Sequence, residues 1–319
     1  MSFRIIGTGS ALPERIVTND ELSTFLDTSD EWIRTRTGIR ERRVISTESL
    51  DDLAVAASQR ALEAAGIEAS DLDLIVCSTT TSDHIMPGQG CAVAAQIGAT
   101  CPAFDLSAAC AGFVFALDVA DGWFARGRAK RVLIIAAEEM SRLIDWEDRA
   151  TCVLFGDGAA ACVVEAAEDG LLAMDLATSP DMRALAVPGI GGNSPFKEGE
   201  RPASVLAMEG QRVFKFGVTT ICSAVKRLCM EAGIEVADID HFVFHQANER
   251  ILSAAVSRLG LDDAKVGRTL ETCGNISSAC IPLTLDNLAR SGALASGDLV
   301  AIVGFGAGLD TGSCLLRWA

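Results

Sequence analysis

The segments AAGIEASDLDLIVCS (residues 64–78) and EAGIEVADIDHFVFH (residues 231–245) resemble each other and lie 167 residues apart. Each follows an amphipathic helical pattern, LAVAASQRALEAAG in the first case and FGVTTICSAVKRLCMEAG in the second. At the same offset RVLIIAAEE (residues 131–139) matches DLVAIVGFG (residues 298–306), and at a smaller offset FGDGAAACVV (residues 155–164) falls beside GAGLDTGSCLL (residues 306–316). Several segments that recur in the same order indicate an internal duplication.

The duplicated pattern predicts the fold class. Each half contains a helix, a strand of almost continuous apolar character, a second helix and strand, a glycine-rich turn and a final strand. Because strands that are apolar on both faces belong to sheets covered by helices, we expect an α/β protein with one helical layer shared between two sheets. The halves are predicted to span residues 1–169 and 170–319. Residues 171–205, the least regular stretch, are predicted to form a loop insertion near the entrance of a binding site.

Composition and charge exclude several classes of protein. A chain of 319 residues with 49% hydrophobic composition is long enough to bury a large core. The net charge of −16 argues against a broad nucleic-acid-binding face, although basic clusters at residues 34–43 and 126–131 could be either local docking sites or solvated surface. No apolar run approaches the ~20 residues of a membrane-spanning helix, and the start MSFRIIGTGS is unlike an export signal. Neither membrane insertion nor export is expected.

The cysteines favour a reducing compartment. There are eleven of them, scattered from Cys77 to Cys314 without a C-x-x-C pair, and only three histidines accompany them. This distribution fits neither a disulfide framework nor a zinc site. Most of the cysteines lie in apolar surroundings, where a reduced thiol behaves as a small hydrophobic residue. The expected location is the cytoplasm.

Cys110 is the candidate nucleophile. The segment CPAFDLSAACAGFVFALDVADGWFARG (residues 101–127) has the pattern of a strand, a turn of small residues and a helix that begins near Cys110. The unpaired N–H groups and the positive dipole end of a helix N-terminus stabilise a thiolate. Small neighbours would let a substrate approach the sulfur. A random cysteine would more often be a core residue, but this context favours a reactive one.

His245 and Asn275 are candidate partners of that cysteine. His245 ends the strand pattern DIDHFVFH, and ligand sites in α/β folds lie at such carboxyl ends of strands. In GNISSACIPL (residues 274–283), Gly274 permits a tight turn and Asn275 offers an amide donor before a helix. For either residue alone, a structural role such as a cap or a satisfied core group would be favoured, but together with Cys110 the two residues indicate a site. Papain-like proteases also use Cys, His and Asn, but a duplicated α/β chain without a C-G-S-C-W-like segment near its start does not fit that class.

With these residues in place, the sequence resembles the beta-ketoacyl-acyl carrier protein synthase III family of the thiolase superfamily along essentially its whole length. The resemblance implies a duplicated thiolase-like fold with five layers, α-β-α-β-α, and two mixed sheets. It also implies an acyltransferase that condenses an acyl-CoA primer, acetyl-CoA or another short one, with malonyl-acyl carrier protein and so initiates fatty acid biosynthesis. The segments that carry it are TSDEWIRTRTGIRERR (residues 28–43), CPAFDLSAACAGF (residues 101–113), DRATCVLFGDGAAA (residues 148–161), FHQANERI (residues 244–251) and GNISSACIPL.

The resemblance assigns the catalytic groups. It implies that Cys110 is acylated by acyl-CoA and that His245 and Asn275 hold the malonyl thioester carbonyl while carbon dioxide leaves. Two preorganised donors stabilise the negative charge that decarboxylation builds on that oxygen. The backbone N–H groups of Cys110 and Ala307 would serve as oxyanion donors. Covalent storage of the acyl group predicts ping-pong kinetics. Neither a cofactor nor a metal is expected, since the coenzyme A thioester is a substrate.

The resemblance also assigns the coenzyme A contacts. Trp32 and Arg149 would sandwich the adenine, and Thr28 would bond to its edge. Arg36 would meet the phosphates, and Asn248 would reach the pantetheine arm. An arginine–aromatic pair suits this ligand, because a guanidinium plane stacks on rings and also pairs with anions.

Carrier-protein docking requires a local basic patch. Acyl carrier protein is acidic, and a chain of charge −16 repels it at long range. By resemblance the patch contains Lys215 and Arg250, with Arg258 nearby. Glu249 lies inside this patch and is expected to weaken it.

The residues of the acyl pocket and two departures from the family do not determine which acyl-CoA is the primer. The resemblance places Phe305 in the acyl pocket, and it places Met86 at a position that, in the family's homodimers, reaches into the neighbouring subunit's pocket. A bulky aromatic there favours acetyl primers, whereas methionine leaves more room. Asp310 and Thr311 stand where the family commonly has Thr-Trp, so packing behind the site is expected to differ.

Two other functions compete with condensation. One is transfer of an acyl or malonyl group to a small acceptor, as in homologues from secondary-metabolite pathways, which usually lack the Asn or the His–Gln–Ala–Asn pattern. Both features are present here. The other is a catalytically silent scaffold, in which the nucleophile is replaced, whereas this chain has Cys110.

Overall fold

The computed structural model describes residues 2–189, 196 and 203–319. The strands within these ranges are β1 (Ser2–Ala11), β2 (Ile16–Thr18), β3 (Glu41–Arg43), β4 (Leu74–Ser78), β5 (Ala103–Leu106), β6 (Arg131–Glu139), β7 (Asp157–Ala167), β8 (Leu171–Thr178), β9 (Leu185–Ala186), β10 (Ala207–Met208), β11 (His241–Phe244), β12 (Leu299–Gly306) and β13 (Asp310–Arg317). The α-helices are α1 (Asn19–Leu22), α2 (Asp30–Thr37), α3 (Leu50–Ala65), α4 (Gln89–Ile97), α5 (Gly112–Ala125), α6 (Gly210–Ala232), α7 (Glu249–Leu259), α8 (Leu270–Cys273) and α9 (Cys280–Arg290).

The two large sheets are both mixed and have corresponding strand orders. The first has the order β1-β7-β6-β4-β5, with antiparallel pairs at the β1 side and parallel pairs from β6 to β5. The second has the order β11-β12-β13-β8, in which only β11 and β12 are parallel. An isolated parallel bridge between Phe242 and Val266 lies where a counterpart of β5 would pair. The second sheet therefore repeats the first with a reduced fifth strand.

Apolar residues on both faces of the two sheets explain the layers. Helices α3 and α4 cover the outer face of the first sheet, where Ile75 and Leu133 are buried. Helices α5 and α9 lie between the sheets, against Val76 and Ile302. Helices α6 and α7 cover the outer face of the second sheet. The predicted five layers are confirmed, and the central layer is the one that the halves share.

The repeated sequence forms the same helix–turn–strand unit twice. Helix α3 ends at Gly66 (φ 66°) and helix α6 ends at Gly233 (φ 69°), both in the left-handed region that glycine tolerates. A 3-10 turn with a reciprocal capping box follows each helix, formed by Glu68 with Asp71 and by Glu235 with Asp238. Strands β4 and β11 come next. The residues that the two segments share are thus those that end the helix, form the turn and lead into the buried strand.

The prediction of a loop over residues 171–205 is wrong at its start. Leu171–Thr178 is β8, which pairs with β13 from Thr178 opposite Asp310 to Leu171 opposite Leu316. β8 is an edge strand and most of its residues are only partly buried, so it lacks the continuous apolar run used to recognise strands. Residues 190–195 and 197–202 of that prediction lie outside the described residues.

Three bulk features accompany this fold. All eleven cysteines are free thiols. The described part of the chain contains no cluster of three His, Cys, Asp or Glu side chains placed to bind a metal. None of its helices combines the length and the apolar character needed to cross a membrane.

Candidate active site

Cys110 lies at a tight turn between β5 and α5. A 3-10 helix, Ala109–Ala111, joins directly to α5, and Ala109 has a φ of 45°, which is uncommon for a residue other than glycine. The end of β12 approaches this turn closely. A Cβ on Gly306 would lie 2.7 Å from Cys110 N, so only glycine lets the two backbones meet here.

The Cys110 thiol is buried and protonated in the resting site. Its side chain is almost fully buried, and Sγ donates a 3.4 Å hydrogen bond to Ser277 Oγ. Burial raises the pKa of Cys110 to about 12, and the nearby negative charge of Glu138 acts in the same direction. The helix N-terminus is expected to favour the thiolate. Desolvation of the buried thiol has the larger effect and favours the protonated form.

His245 follows β11 and is held as a neutral imidazole. Its backbone N–H donates to Val303 O at 2.9 Å, and its ring lies edge-on to Phe305 with centroids 5.2 Å apart. Nδ1 is buried and, among the described residues, has no hydrogen-bond partner. Burial lowers the pKa of His245 to about 3. A neutral ring carries one N–H donor and can therefore hold a carbonyl oxygen.

Asn275 is oriented by its backbone neighbours. Gly274, at a φ of 69°, makes the turn that precedes it, and Asn275 N donates to Leu154 O at 2.8 Å. The side-chain Oδ1 accepts a 2.9 Å bond from Ser277 N. Because the oxygen is occupied, the amide NH2 group is left as a donor, and no other described residue accepts from it.

One cavity brings the three predicted catalytic residues together. It has a volume of about 1280 Å³, and Cys110, His245, Asn275, Phe305 and Ala307 line it. In the described turns, loops and caps, neither the Cys110 nor the Ala307 backbone N–H donates to a backbone carbonyl. The wall thus offers a thiol, an imidazole, an amide and the backbone N–H groups of Cys110 and Ala307 within one largely apolar space.

The predicted coenzyme A residues cluster beside the cavity. The guanidinium groups of Arg149 and Arg36 lie 5.3 Å and 5.7 Å from the Trp32 ring centroid. Asn248 caps α7 through its side chain, and its Nδ2 donates to Arg36 O at 3.2 Å. Arg36 and Asn248 line the cavity, whereas Trp32 and Arg149 lie outside it. Thr28 has a buried hydroxyl without a partner among the described residues.

Comparison with known proteins identifies the family. Two family models match, 3-oxoacyl-[acyl-carrier-protein] synthase III over residues 104–180 and its C-terminal model over residues 229–318. A beta-ketoacyl-[acyl-carrier-protein] synthase III of Xanthomonas campestris is 46% identical over 318 residues, covering 99% of this chain and 98% of the relative. The chain belongs to the synthase III family. The predictions of the family and of an acyltransferase are confirmed.

Solved structures of other synthase III proteins have the same fold. The enzyme from Aquifex aeolicus superposes with a TM-score of 0.92 at 38% identity, covering 99% of this chain and 100% of that one. The priming beta-ketosynthase of the R1128 polyketide biosynthetic pathway superposes with a TM-score of 0.92 at 40% identity, covering 99% and 96%. The thiolase-like fold of this synthase III is thereby confirmed.

The three predicted docking cations are exposed. Lys215 lies on α6, and Arg250 and Arg258 lie on α7. Glu249 does not act as a free negative charge among them. Its carboxylate lies 3.3 Å from Arg268 Nε and accepts a 2.7 Å bond from Ser253 Oγ. The expected weakening of the patch by Glu249 is therefore offset by Arg268.

Met86 and the Asp310–Thr311 pair occupy different surroundings. Met86 is 82% exposed and does not line this chain's own cavity, whereas Phe305 does. Asp310 accepts a 2.6 Å hydrogen bond from Thr178 Oγ1, which ties the start of β13 to the end of β8. Thr311 is buried at the start of β13. The departure from the family thus adds a polar contact between strands at this edge of the site.

Two polar residues of the synthase III site were not predicted. Ser277 contacts the Cys110 thiol, and Glu138, at the end of β6, contacts Ser277 at 3.1 Å. Ser277 lies in the quoted motif GNISSACIPL, so a polar function could have been sought there. The only signal for Glu138 is an acidic residue that closes the apolar run RVLIIAAEE.

Proposed function

We propose that this chain loads an acyl group from coenzyme A onto Cys110 and condenses it with a malonyl unit on acyl carrier protein, initiating fatty acid biosynthesis. The observation that carries the proposal is the convergence of Cys110, His245 and Asn275 on one cavity that Ala307 also lines. A condensation needs one nucleophile that stores the acyl group and separate donors for the enolate. These groups supply both.

In the first half-reaction the Cys110 thiolate attacks the acyl-CoA carbonyl and coenzyme A leaves as a thiolate. Ala108 and Ala109, which also line the cavity, leave the approach to the sulfur open. The oxygen that becomes negative is placed to accept from the backbone N–H groups of Cys110 and Ala307. Both donors are fixed by the backbone contact between Gly306 and Cys110, so they require no rearrangement during reaction.

In the second half-reaction His245 and Asn275 hold the malonyl thioester oxygen. Loss of carbon dioxide leaves an enolate, and the negative oxygen is stabilised by the neutral imidazole N–H and the amide NH2 group. The enolate carbon then attacks the acyl group on Cys110 and expels the thiolate. Deep burial of both donors strengthens these bonds, because little water competes for them.

The partners follow from the surfaces around the cavity. Trp32, Arg36 and Arg149 offer a ring and two cations to the nucleotide end of coenzyme A, with Asn248 and Thr28 at the arm and the adenine edge. Docking of the acidic carrier protein is assigned to the exposed cations on α6 and α7, Lys215, Arg250 and Arg258.

The proposal includes a homodimer that acts in the cytoplasm. Strand β5 is the free edge of the first sheet, with Phe104 partly exposed on it, and the nearby Ile85 and Met86 are also exposed. An unpaired edge beside exposed apolar side chains favours pairing with a second copy. Eleven free thiols support a reducing compartment. The boundary between residues 169 and 170 and the absence of a cofactor stay predictions.

A second candidate function is the same condensation in a secondary-metabolite pathway. The similarity to the priming beta-ketosynthase of the R1128 polyketide biosynthetic pathway, at 40% identity, supports this second candidate. The two candidates differ in the carrier protein and primer and share the chemistry at Cys110. Rates with carrier proteins of the two kinds of pathway would separate them.

Three single variants test the proposal by separating its half-reactions. Cys110→Ala abolishes transfer of acetyl from acetyl-CoA to the enzyme but retains some decarboxylation of malonyl-carrier protein, because the enolate donors remain. Asn275→Ala retains acetylation of Cys110 and loses decarboxylation by about 10²-fold, the scale for removing one preorganised oxyanion donor. His245→Ala behaves like Asn275→Ala. Labelled acetyl incorporation and carbon dioxide release are measured separately.

Either of two results contradicts the proposal. Decarboxylation by Asn275→Ala at the parent rate would remove the enolate role and favour plain acyl transfer. Retention of a covalent acetyl group in Cys110→Ala, detected by intact mass, would place the nucleophile elsewhere.

A further inference from the structure

A carboxylate without a cation lies next to the candidate nucleophile. Glu138 is fully buried, and among the described residues it forms no ion pair. It accepts hydrogen bonds from five donors. Oε2 receives Thr80 N, Thr80 Oγ1 and Thr81 Oγ1 at 2.9–3.0 Å, while Oε1 receives Ser277 Oγ at 3.1 Å and Ser278 Oγ at 2.9 Å. Because all five partners are assigned as donors, we take Glu138 to be a carboxylate, and burying such a charge without a cation is costly.

Two hydrogen bonds join this carboxylate to the thiol. Ser277 Oγ carries a single proton, which it donates to Glu138 Oε1. The same oxygen accepts from the Cys110 thiol at 3.4 Å. The order Cys110 Sγ–H, Ser277 Oγ–H, Glu138 Oε1 is therefore a continuous donor chain that ends on a base.

We infer that Glu138, acting through the Ser277 hydroxyl, takes the proton from Cys110 when the thiol attacks acyl-CoA. In this step the S–H bond breaks as Ser277 Oγ gains that proton, and the original Ser277 proton forms an O–H bond to Glu138. A thiol and a carboxylate become a thiolate and a carboxylic acid, so the buried pair keeps one negative charge in total. No heavy atom has to move, because each hydrogen bond only reverses its direction.

The proton balance closes over the proposed cycle, on which this inference rests. Coenzyme A leaves as a thiolate and takes a proton from water at the cavity mouth. Glu138 stays neutral while the acyl-enzyme exists, so no carboxylate charge opposes the enolate that forms on decarboxylation. Condensation then expels the Cys110 thiolate, which recovers its proton from Glu138 by the reverse shift. One proton is taken up from solvent per turnover.

His245 is a poorer base for this step. No hydrogen bond joins it to Cys110 among the described residues, and burial lowers its pKa to about 3. Burial has the opposite effect on Glu138, since it raises the pKa of that carboxyl and makes it a stronger base. Glu138 is connected to the thiol by hydrogen bonds and has the higher proton affinity, so it is a better proton acceptor than His245.

The other ionisable groups around the pair do not supply a competing base. Cys77 on β4 and Cys280 on α9 face Glu138 and Cys110, and burial raises the pKa of both thiols. Three carboxylates on neighbouring elements are occupied by their own donors. These are Asp51 on α3 with Gln89 and His84, Asp105 on β5 with the Gln89 and Gly90 N–H groups, and Asp157 on β7 with Ile45 and Ser141.

Ser277→Ala breaks the chain without changing the backbone. Ser277 has a φ of 48°, and Ala109 occupies the corresponding turn of the first half with a φ of 45°, so alanine is compatible with this conformation. Ser278→Ala is the matched control, because Ser278 donates to the same Glu138 oxygen at 2.9 Å but does not accept from the thiol. The measurement is the alkylation rate of Cys110 by iodoacetamide as a function of pH, read at the Cys110 peptide by mass spectrometry.

The expected profiles differ in shape. In the parent enzyme the rate is flat between the two titrations of the coupled Cys110–Glu138 pair. In Ser277→Ala the rate near pH 7 falls by about tenfold or more, the lower range for loss of a general base, and then rises with hydroxide. Ser278→Ala keeps the flat profile. A flat profile in Ser277→Ala would overturn the inference.

Glu138→Gln distinguishes the proton relay from a purely electrostatic influence of the carboxylate, because the two predict opposite changes in the alkylation rate of Cys110. Removing a nearby negative charge would by itself ease thiol ionisation and speed alkylation. Removing the proton acceptor slows it, and Glu138→Asp, which keeps a carboxylate, recovers part of the rate. Faster alkylation of a folded Glu138→Gln protein would overturn the inference. Since alkylation requires no acyl-CoA, intact relay profiles together with failed acetylation of Cys110 would contradict the proposed function alone.

Discussion

At the scale of single residues, burial sets the protonation of the site. It raises the pKa of Cys110 to about 12 and lowers that of His245 to about 3, so both side chains are neutral at pH 7 before substrate binds. A neutral imidazole is what a hydrogen-bond donor to the malonyl oxygen requires. The same desolvation leaves the thiol dependent on a proton acceptor.

The neutral state of His245 predicts a dependence of stability on pH. The folded pKa lies below the unfolded value of ~6.5, so this stabilisation is complete above pH 6.5 and is lost as the pH falls toward 3. Between pH 8 and pH 5 the free energy of unfolding should decrease by about 2 kcal/mol more in the parent than in His245→Gln. Urea denaturation of both proteins at the two pH values measures this difference. Equal losses would show that the imidazole titrates normally in the folded chain.

Sequence reasoning located residues that short motifs position locally. Cys110 follows a turn of small residues, and Asn275 follows Gly274, so each could be predicted from its neighbours alone. Glu138 could not be predicted, because its contact with Ser277 joins positions 139 residues apart. The raised pKa of Cys110 was also inaccessible, since it depends on how completely the fold excludes water.

At the scale of secondary-structure elements, the end of β12 closely approaches the Cys110 turn. Gly306 has an extended backbone (φ −166°) that any residue can adopt, so an added methyl group would act by contact alone. That Cβ would lie 2.7 Å from Cys110 N and 3.0 Å from Cys110 Cβ. The nucleophile and its N–H donor would both be displaced.

Gly306→Ala should therefore lower the rate of Cys110 acetylation by about 10²-fold, the cost of misplacing a reacting group by about 1 Å. Gly122→Ala is the control. It lies in α5, the helix that follows Cys110, and its Cβ would meet nothing within 4 Å. It should keep the rate and stabilise the fold by about 0.5–1 kcal/mol. Single-turnover acetylation and thermal unfolding of both variants make the comparison, and a parent-like rate in Gly306→Ala would contradict it.

Elements were predictable where the apolar pattern is continuous on both faces. β4, β6, β11 and β12 satisfy this condition because helices cover both sides of their sheets. β8 does not satisfy it, since β8 is an edge strand whose residues are mostly only partly buried. Its sequence therefore contains no continuous apolar run that would identify a strand. The missed strand is the structural counterpart of β1, which begins the first sheet.

At the scale of the whole molecule, the exposed apolar surface argues for a second copy. Met86 is 82% exposed and Ile85 is 75% exposed, in the loop that precedes α4, next to the free edge at β5. Met86 is not one of the residues that line this chain's own cavity. Any influence of Met86 on primer choice must therefore act across a subunit interface.

Met86→Phe tests the interface and the primer pocket together. A ring that enters the partner's cavity would occupy space needed by a longer acyl chain, so the kcat/KM ratio of hexanoyl-CoA to acetyl-CoA should fall by about tenfold or more. Met230→Phe is the matched control, because Met230 is 79% exposed on α6 and lies outside the cavity lining. Analytical ultracentrifugation of the parent and both variants establishes that a dimer is present under the assay conditions. An unchanged ratio in dimeric Met86→Phe would exclude Met86 from the pocket, and a monomeric parent enzyme would remove the interface on which the prediction depends.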